Sequence, residues 1–289
     1  MDNGFLGVFP DLDNDDYHAD FAIGSSGLKR FLVSPLHYWA DYLDPERERR
    51  DTKAFLLGRA WHCAVFEPSE FDDRYVAMPE GLDRRTKEGK ALWAEIEASG
   101  RDALASREVA AVEKMAGIAR QLPISRVVFD QLAQHGAAEA SMFTVDQETG
   151  VRLKIRPDYM LRPCPMFPNG LIIDGKTTTD ASKTGFARQV WGLDYGLQAA
   201  LYTSVYQSIL DTAGRPVFLW LAQEKEAPHA AAYYSAGVDL LEYWDKRIAQ
   251  MLPAVARCVE SGVWPGFPET VTELALPAWA QKQVDEAAA

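Results

Sequence analysis

The sequence predicts an α/β protein in which a helical N-terminal region precedes a core of strands and helices. Two observations predict this division: apolar residues recur at helical spacing up to about residue 135, and strand-forming segments dominate from residue 138. A length of 289 residues fits one large domain or two small ones. Because no stretch is a convincing linker, we expect one domain, with helices at about 20–135, a core at about 136–265 and a tail at about 266–289.

The N-terminal region is expected to consist of several helices. Two short helical pieces over 24–43 are separated by a Ser-Pro pair. The next helix, over 52–66, contains His62 among apolar residues. A longer helical region over 87–122 has a break at Gly100, and the chain is expected to stay nearly all helical up to about residue 135.

The core is expected to open with a β-hairpin, because two strand-forming segments flank a turn sequence at 147–150. Strands and helices then alternate, as in α/β proteins. The expected strands are 138–145, 151–161, 171–177, 217–223 and 230–235, and the expected helices are about 193–210 and 240–262. From residue 281 onwards we expect a frayed tail.

The composition excludes several classes of protein. A hydrophobic share of 47% with 25% charged residues is typical of a globular chain and excludes global disorder. The 30 lysines and arginines against 42 aspartates and glutamates give a net charge of −12, the wrong sign for coating nucleic acid by bulk charge. Any contact with DNA is therefore expected to be local.

The remaining features of the composition favour a cytosolic protein. No apolar stretch has the length of a membrane span, and the N-terminus lacks the basic start and apolar run of a secretory signal. The three cysteines, Cys63, Cys164 and Cys258, lie far apart and are odd in number. They fit reduced thiols in the core and cannot supply the four ligands of an iron–sulfur cluster.

Two other motifs lack either the required residues or the required structural context. The acidic stretch at 11–16 begins like a calcium-binding loop, but it lacks the glycine and the bidentate glutamate that such a loop requires. Residues 170–177 match the phosphate-loop pattern G-x-x-x-x-G-K-T. Their context is wrong, because Leu171, Ile172 and Ile173 are strand formers where the loop should be. A nucleotide hydrolase is kept as an alternative.

As a strand, the same segment brings charged side chains together. Since side chains alternate, Asp174 and Lys176 lie on one face and Gly175 on the other. A hairpin with the preceding strand would place Asp158 beside Asp174. Two adjacent carboxylates repel unless a cation lies between them, and Mg²⁺ prefers such oxygen ligands. A nearby lysine can orient a metal-bound water and stabilise charge on a phosphate.

These residues resemble the signature of the PD-(D/E)XK nuclease superfamily, with Pro157-Asp158 and Asp174-Gly175-Lys176 in its two places. The wider layout most resembles the C-terminal nuclease domain of exonuclease VIII (RecE) over about residues 20–265; the stretches that carry this resemblance are Ser26–Lys29, Ser34-Pro35, Leu57–His62, Asp174–Thr178, Gln198–Tyr202 and Gln223–Lys225. Features outside the signature are also similar to the RecB-like branch. These features are His62 after Gly58, Glu139 at the start of the first strand, and Gln198 with Tyr202 on one helix face. The resemblance implies a restriction-endonuclease-like core, a central mixed sheet flanked by helices.

The resemblance also implies roles for these residues. Mg²⁺, for which Mn²⁺ can substitute, would be held by His62, Glu139, Asp158, Asp174 and the backbone carbonyl of Gly175. Lys176 would position the attacking water, and Gln198 and Tyr202 would support the site or touch the DNA backbone. No iron–sulfur cluster is expected, because the cysteines of the cluster-bearing members are missing. From the residues alone, His62 also fits a core histidine, and Gln198 with Tyr202 also fits an ordinary surface pair.

The function implied is a metal-dependent exodeoxyribonuclease of the phage recombination type. It would degrade linear double-stranded DNA from its ends, 5′ to 3′, and leave 3′ single-stranded tails for a single-strand annealing protein. A homo-oligomeric ring in the cytoplasm of a bacterial host would fit an acidic chain, provided that its inner surface is basic. A non-catalytic module that binds DNA ends is the second alternative.

Two basic clusters are the candidates for phosphate contacts, although such clusters also occur as solvated faces. One consists of Arg84, Arg85, Lys87 and Lys90, and the other of Arg47, Arg49, Arg50 and Lys53.

Overall fold

The computed structural model describes residues 4–47, 53–79, 81 and 85–287. Helices dominate the described part of the chain up to residue 135, as predicted, and three short strands are the exceptions there. The α-helices of the described residues are α1 (Asn14–Ala19), α2 (Ser25–Val33), α3 (Pro35–Tyr38), α4 (Lys53–Phe66), α5 (Phe71–Arg74), α6 (Lys87–Ser99), α7 (Ser106–Gln121), α8 (Pro123–Arg126), α9 (Lys183–Gly192), α10 (Tyr195–Leu210), α11 (Val238–Ser261) and α12 (Ala278–Ala287).

The helix boundaries follow from local signals in the sequence. Ser34 is extended and its side chain accepts a hydrogen bond from the backbone N–H of His37, so α2 ends and α3 begins at the Ser-Pro pair. Thr86 caps α6 in the same way, and Gly100 ends it in a left-handed conformation with φ of 70°. Among the described residues, no helix is long and apolar enough to cross a membrane.

The strands of the described residues form three sheets. The strands are β1 (Gly7–Phe9), β2 (Tyr75–Met78), β3 (Asp102–Ala105), β4 (Gly136–Ala138), β5 (Ser141–Val145), β6 (Arg152–Ile155), β7 (Tyr159–Leu161), β8 (Leu171–Thr178), β9 (Val217–Glu224) and β10 (Ala231–Ser235). The central sheet has the order β10-β9-β8-β7-β4, in which β8 and β9 are parallel and the other pairs antiparallel. The small sheets are β1-β5-β6 and the parallel pair β2-β3.

The predicted hairpin is present but sharply bent. The expected strands 138–145 and 151–161 are each divided in two, so that β4 pairs with β7 and β5 pairs with β6 in another sheet. Glu139 has a positive φ of 49° at one break, and Pro157, which has no N–H to donate, stands at the other. The bend places Glu139 and Asp158 together where the two sheets part.

Strand β8 separates two hydrophobic cores. Ile172 belongs to the core that contains α10 and α11, whereas Leu171 and Ile173 belong to the core that contains α4 and α7. The alternation that the sequence predicts for this strand is therefore confirmed. Because 170–177 is mostly strand and α9 begins only at Lys183, the phosphate-loop alternative is wrong.

Two further expectations were incomplete. The break in the predicted helical region 87–122 contains the strand β3, whose four residues are too few to show a pattern. The tail from Gln281 is part of the helix α12, and its described side chains are exposed.

Candidate active site

Asp158 is fixed by the strand that follows it in the sheet. Its Oδ2 accepts a hydrogen bond of 2.5 Å from the backbone N–H of Gly175, which the antiparallel pairing of β7 with β8 brings alongside. The backbone two residues before Asp158 is also held, since the Tyr202 hydroxyl donates to the carbonyl of Arg156 at 3.2 Å. The predicted proximity of Asp158 to the Asp174-Gly175-Lys176 strand is thus present in the structure.

A group of three potential ligands lies at this point. One ligand atom from each of His62, Glu139 and Asp158 lies within 4.8 Å of the others. The His62 Nδ1 is 3.2 Å from Asp158 Oδ2. Helix α4 supplies His62 and the bend of the hairpin supplies the two carboxylates, so residues distant in the sequence converge here.

Helix α4 can approach β8 closely because residue 175 is glycine. A Cβ atom at this position would lie 2.7 Å from Trp61 Cζ3 and 2.9 Å from Phe66 Cε2. The indole of Trp61 is itself fixed, since its Nε1 donates to Gln223 Oε1 at 2.6 Å. Gln223 is fully buried on β9 and donates to the carbonyls of Met115 and His229. These contacts set the position of the neighbouring His62.

Asp174 lies on the other face of β8, outside the group of three. Its side chain is buried, its Oδ1 accepts a hydrogen bond of 2.7 Å from Gln198 Nε2, and its Oδ2 forms an ion pair with Lys176. The Lys176 Nζ also lies 4.9 Å from the centre of the Tyr195 ring. The role of Asp174 as a metal ligand, and that of the Gly175 carbonyl, remain predictions.

The charges at the site influence one another strongly. Burial raises the pKa of Asp158, but His62, the charge of Lys176 and the hydrogen bond from Gly175 together outweigh burial, so that the pKa is lowered. Burial and the charge of Asp158 raise the pKa of Glu139 to about 8. Burial lowers the pKa of Lys176, but the carboxylates of Asp174 and Asp158 outweigh it and raise that pKa. Lys176 is therefore an ammonium group at neutral pH.

The group of three suits a divalent cation. Its donors are two carboxylates and an imidazole, and burial with the charge of Asp158 raises the pKa of Glu139, an effect that a divalent cation bound here would oppose. Asp174 is buried close by on β8, where its Oδ2 forms the ion pair with Lys176. A metal held by His62, Glu139 and Asp158 fits this donor set.

The site opens into a groove with a volume of about 2470 Å³. His62, Glu139, Lys176, Gln198 and Tyr202 all line it. Of the basic clusters, Arg47 lines the groove, whereas Arg85, Lys87 and Lys90 do not. Arg49, Arg50 and Arg84 lie outside the described residues, as does the side chain of Lys53.

Sequence reasoning assigned no role to four residues that the structure places at or behind the site. Lys29 and Tyr195 line the groove beside Lys176, Arg156 anchors the strand end that carries Asp158, and Gln223 fixes Trp61. Gln223 and Lys29 lie in stretches that contributed to the family resemblance. Tyr195 and Arg156 gave no signal, because their roles depend on contacts across the fold.

The bent hairpin, the strand Asp174-Gly175-Lys176 and the helix that follows it define a domain of the PD-(D/E)XK nuclease class. A family model described as a PDDEXK-like domain of unknown function (DUF3799) matches residues 24–274. The chain belongs to this family and hence to the PD-(D/E)XK superfamily.

Comparison with solved structures agrees with this assignment. A protein from Eubacterium rectale named "Putative exonuclease" superposes with a TM-score of 0.59 at 17% identity, over 93% of this chain and 97% of that chain. This likeness shows the restriction-endonuclease-like fold that the sequence predicts. The structure of the protein SSO0001 matches with a TM-score of 0.31 at 12% identity, over 70% of this chain and 85% of that chain, which is too distant to support a conclusion. A search of the curated proteins found no match.

Proposed function

We propose that this nuclease-family protein is a divalent-metal-dependent exonuclease that hydrolyses DNA from the ends of linear duplexes. The observation that carries the proposal is the convergence of His62, Glu139 and Asp158 beside the ammonium group of Lys176 in an open groove. Carboxylates and imidazole can hold a divalent cation, and a fixed ammonium can stabilise the charge that develops on a phosphate.

Each residue of the site has a separate role in the proposed hydrolysis. When bound, the cation supplies polarisation of the phosphate and a water of lowered pKa. Lys176 positions the attacking water and stabilises negative charge on the phosphate through its ammonium group. Asp174 and Gln198 hold Lys176 in place from the buried side. Tyr202 holds the strand end that carries Asp158.

The finer features of the proposal come from the RecE-like resemblance. They are Mg²⁺ as the resident ion, 5′ to 3′ polarity, a 3′ single-stranded tail passed to an annealing protein, and a ring of copies around the DNA. A location in the cytoplasm of a bacterial host belongs to the same proposal. A ring would reconcile the net charge of −12 with DNA binding if its inner surface were basic.

The test is digestion of a linear duplex and a covalently closed circle of the same sequence, each with Mg²⁺ and with EDTA. We expect the linear DNA to be degraded only with Mg²⁺, the circle to be spared, and a 5′ label to be released before a 3′ label. Rapid cutting of the circle would instead identify an endonuclease of the same fold. Binding to ends without hydrolysis in Mg²⁺ or Mn²⁺ would favour the non-catalytic module.

A further inference from the structure

Lys29 is a cation of the groove that the proposed chemistry does not use. It lies on α2, and its Nζ donates to the backbone carbonyl of Leu193 at 2.8 Å. The same Nζ lies 5.0 Å from the centre of the Tyr195 ring, which also contacts Lys176. Tyr195 therefore places a second ammonium group close to the one in the site.

Lys29 has no ion pair with a carboxylate among the described residues, whereas several other cations of the groove do. Arg59 pairs with Asp102, Arg74 with Glu67 and Lys176 with Asp174. Among the described residues, no carboxylate lies within ion-pair distance of Lys29, although Asp174 and Asp194 act on it from further away. Burial and the charge of Lys176 lower the pKa of Lys29 to about 8, so keeping a half-buried ammonium here is unfavourable without an anion.

The surroundings of Lys29 suit an anion. Ser25 and Ser26 lie one helical turn before it and line the same groove. Ser25 is 8% exposed, and its hydroxyl has no hydrogen-bond partner among the described residues. The Ser26 side chain already forms a hydrogen bond with Tyr42, so the Ser25 hydroxyl and the Lys29 ammonium are the donors that can bind the oxygens of a phosphate.

We propose that Lys29, with Ser25, binds a phosphate group of the DNA substrate next to the phosphate that is cleaved beside Lys176. The inference rests on the proposed function, since it places an additional substrate contact in the same groove. The bound group is either a terminal phosphate monoester or an internal diester of the backbone. Both present the same anionic oxygens.

The test compares Lys29→Met with Lys246→Met, which removes the same charge from an exposed position on α11 outside the groove. Binding is measured by fluorescence anisotropy in EDTA over a series of salt concentrations, on duplexes with 5′-phosphate or 5′-hydroxyl ends. We expect Lys29→Met to bind about tenfold more weakly and to lower the slope of log Kd against log salt by about one. Lys29→Arg should keep most of the affinity.

The arms of the experiment separate the two sources of phosphate. Loss of affinity for phosphorylated ends alone would identify the terminal monoester, and equal loss for both duplexes would identify the backbone diester. If the wild type binds DNA and Lys29→Met binds it as tightly as Lys246→Met does, the inference about Lys29 is wrong, whereas the proposed function is unaffected. If the wild type bound no DNA, the proposed function would fall and the inference with it. Unchanged melting of Lys29→Met and Lys29→Arg would show that both variants are folded.

Discussion

The two faces of β8 are packed in opposite ways. On one face, Asp174 and Lys176 form an ion pair beneath α10, with Gln198 bound to the carboxylate. On the other face, Gly175 has no side chain, and α4 fills the space with Trp61 and Phe66. One face thus holds charges in place, and the other admits a helix.

This difference shows how three successive residues can bring together groups from both cores. The backbone N–H of Gly175 binds Asp158, while its missing side chain lets His62 reach the same carboxylate. The charged face supplies Lys176 from the opposite side. The site lies between the two hydrophobic cores, so substitutions can change one face of β8 without changing the other.

The largest effect is expected from the charged face. Asp174→Asn keeps the shape of the side chain and an oxygen for Gln198, but it removes the charge that fixes Lys176. We expect hydrolysis of linear duplex to fall by about 100- to 1,000-fold, as when a preorganised electrostatic group is lost. Lys176→Gln should have an effect of similar size.

The control for this change is Asp130→Asn, at an exposed position outside the groove. Thermal unfolding should show that both site variants remain folded. Cleavage by Asp174→Asn at the wild-type rate would place the site elsewhere.

The next largest effect is expected on the α4 face. His62→Ala removes one member of the group of three ligands, and we expect the affinity for Mn²⁺ to fall by about 10- to 100-fold in isothermal titration calorimetry. His135→Ala, outside the groove, is the control. Unchanged metal affinity with lowered thermal stability would show that His62 is a core residue.

Much of the fold could be predicted from the sequence, because its long elements carry a clear period. The alternation over 171–177 showed which side chains of β8 share a face, and the turn at 147–150 showed the hairpin. The bend of that hairpin could not be predicted, since it depends on a positive φ at Glu139 that no local pattern signals. Strands β2 and β3 are stabilised by pairing with each other, which a short segment does not reveal.

The site was predictable where it follows the signature and unpredictable where it depends on tertiary contacts. The signature and its resemblance predicted that Asp158, Lys176 and Gln198 belong to one site, and the structure places these three side chains close together. Periodicity could not show that Asp158 forms a group with His62 and Glu139 and that Asp174 lies outside this group. This arrangement depends on the bend of the hairpin and on the approach of α4. Lys29 enters the groove only through the packing of α2 near the turn before α10.

A smaller effect is expected from filling the space beside β8. Gly175→Ala would force Trp61 or Phe66 to move, and we expect a loss of about 1–3 kcal/mol in the free energy of unfolding, measured with urea. Gly117→Ala is the matched control, because its Cβ would meet no atom within 4 Å in the middle of α7. That change should stabilise the protein by about 0.5–1 kcal/mol. Equal stability of the two variants would show that α4 does not press on β8.

The smallest effect is expected at Glu139, where the two sheets part. Its pKa rises from an ordinary 4.5 to about 8 in the folded protein. Below pH 4.5 the carboxyl is protonated in both states, and between pH 4.5 and about 8 only the unfolded chain loses the proton, so stability should fall as the pH rises through this window. Glu139→Gln cannot ionise, and its melting temperature in EDTA should fall less between pH 5 and 8 than that of the wild type.

The raised pKa of His62 also lowers stability as the pH rises, and this contribution remains in the variant. Glu148→Gln, at an exposed position of the hairpin turn, should follow the wild type. If the melting temperatures of wild type and Glu139→Gln changed with pH in the same way, Glu139 would be ionised in the folded protein without a cation. Other groups would then compensate for its repulsion from Asp158.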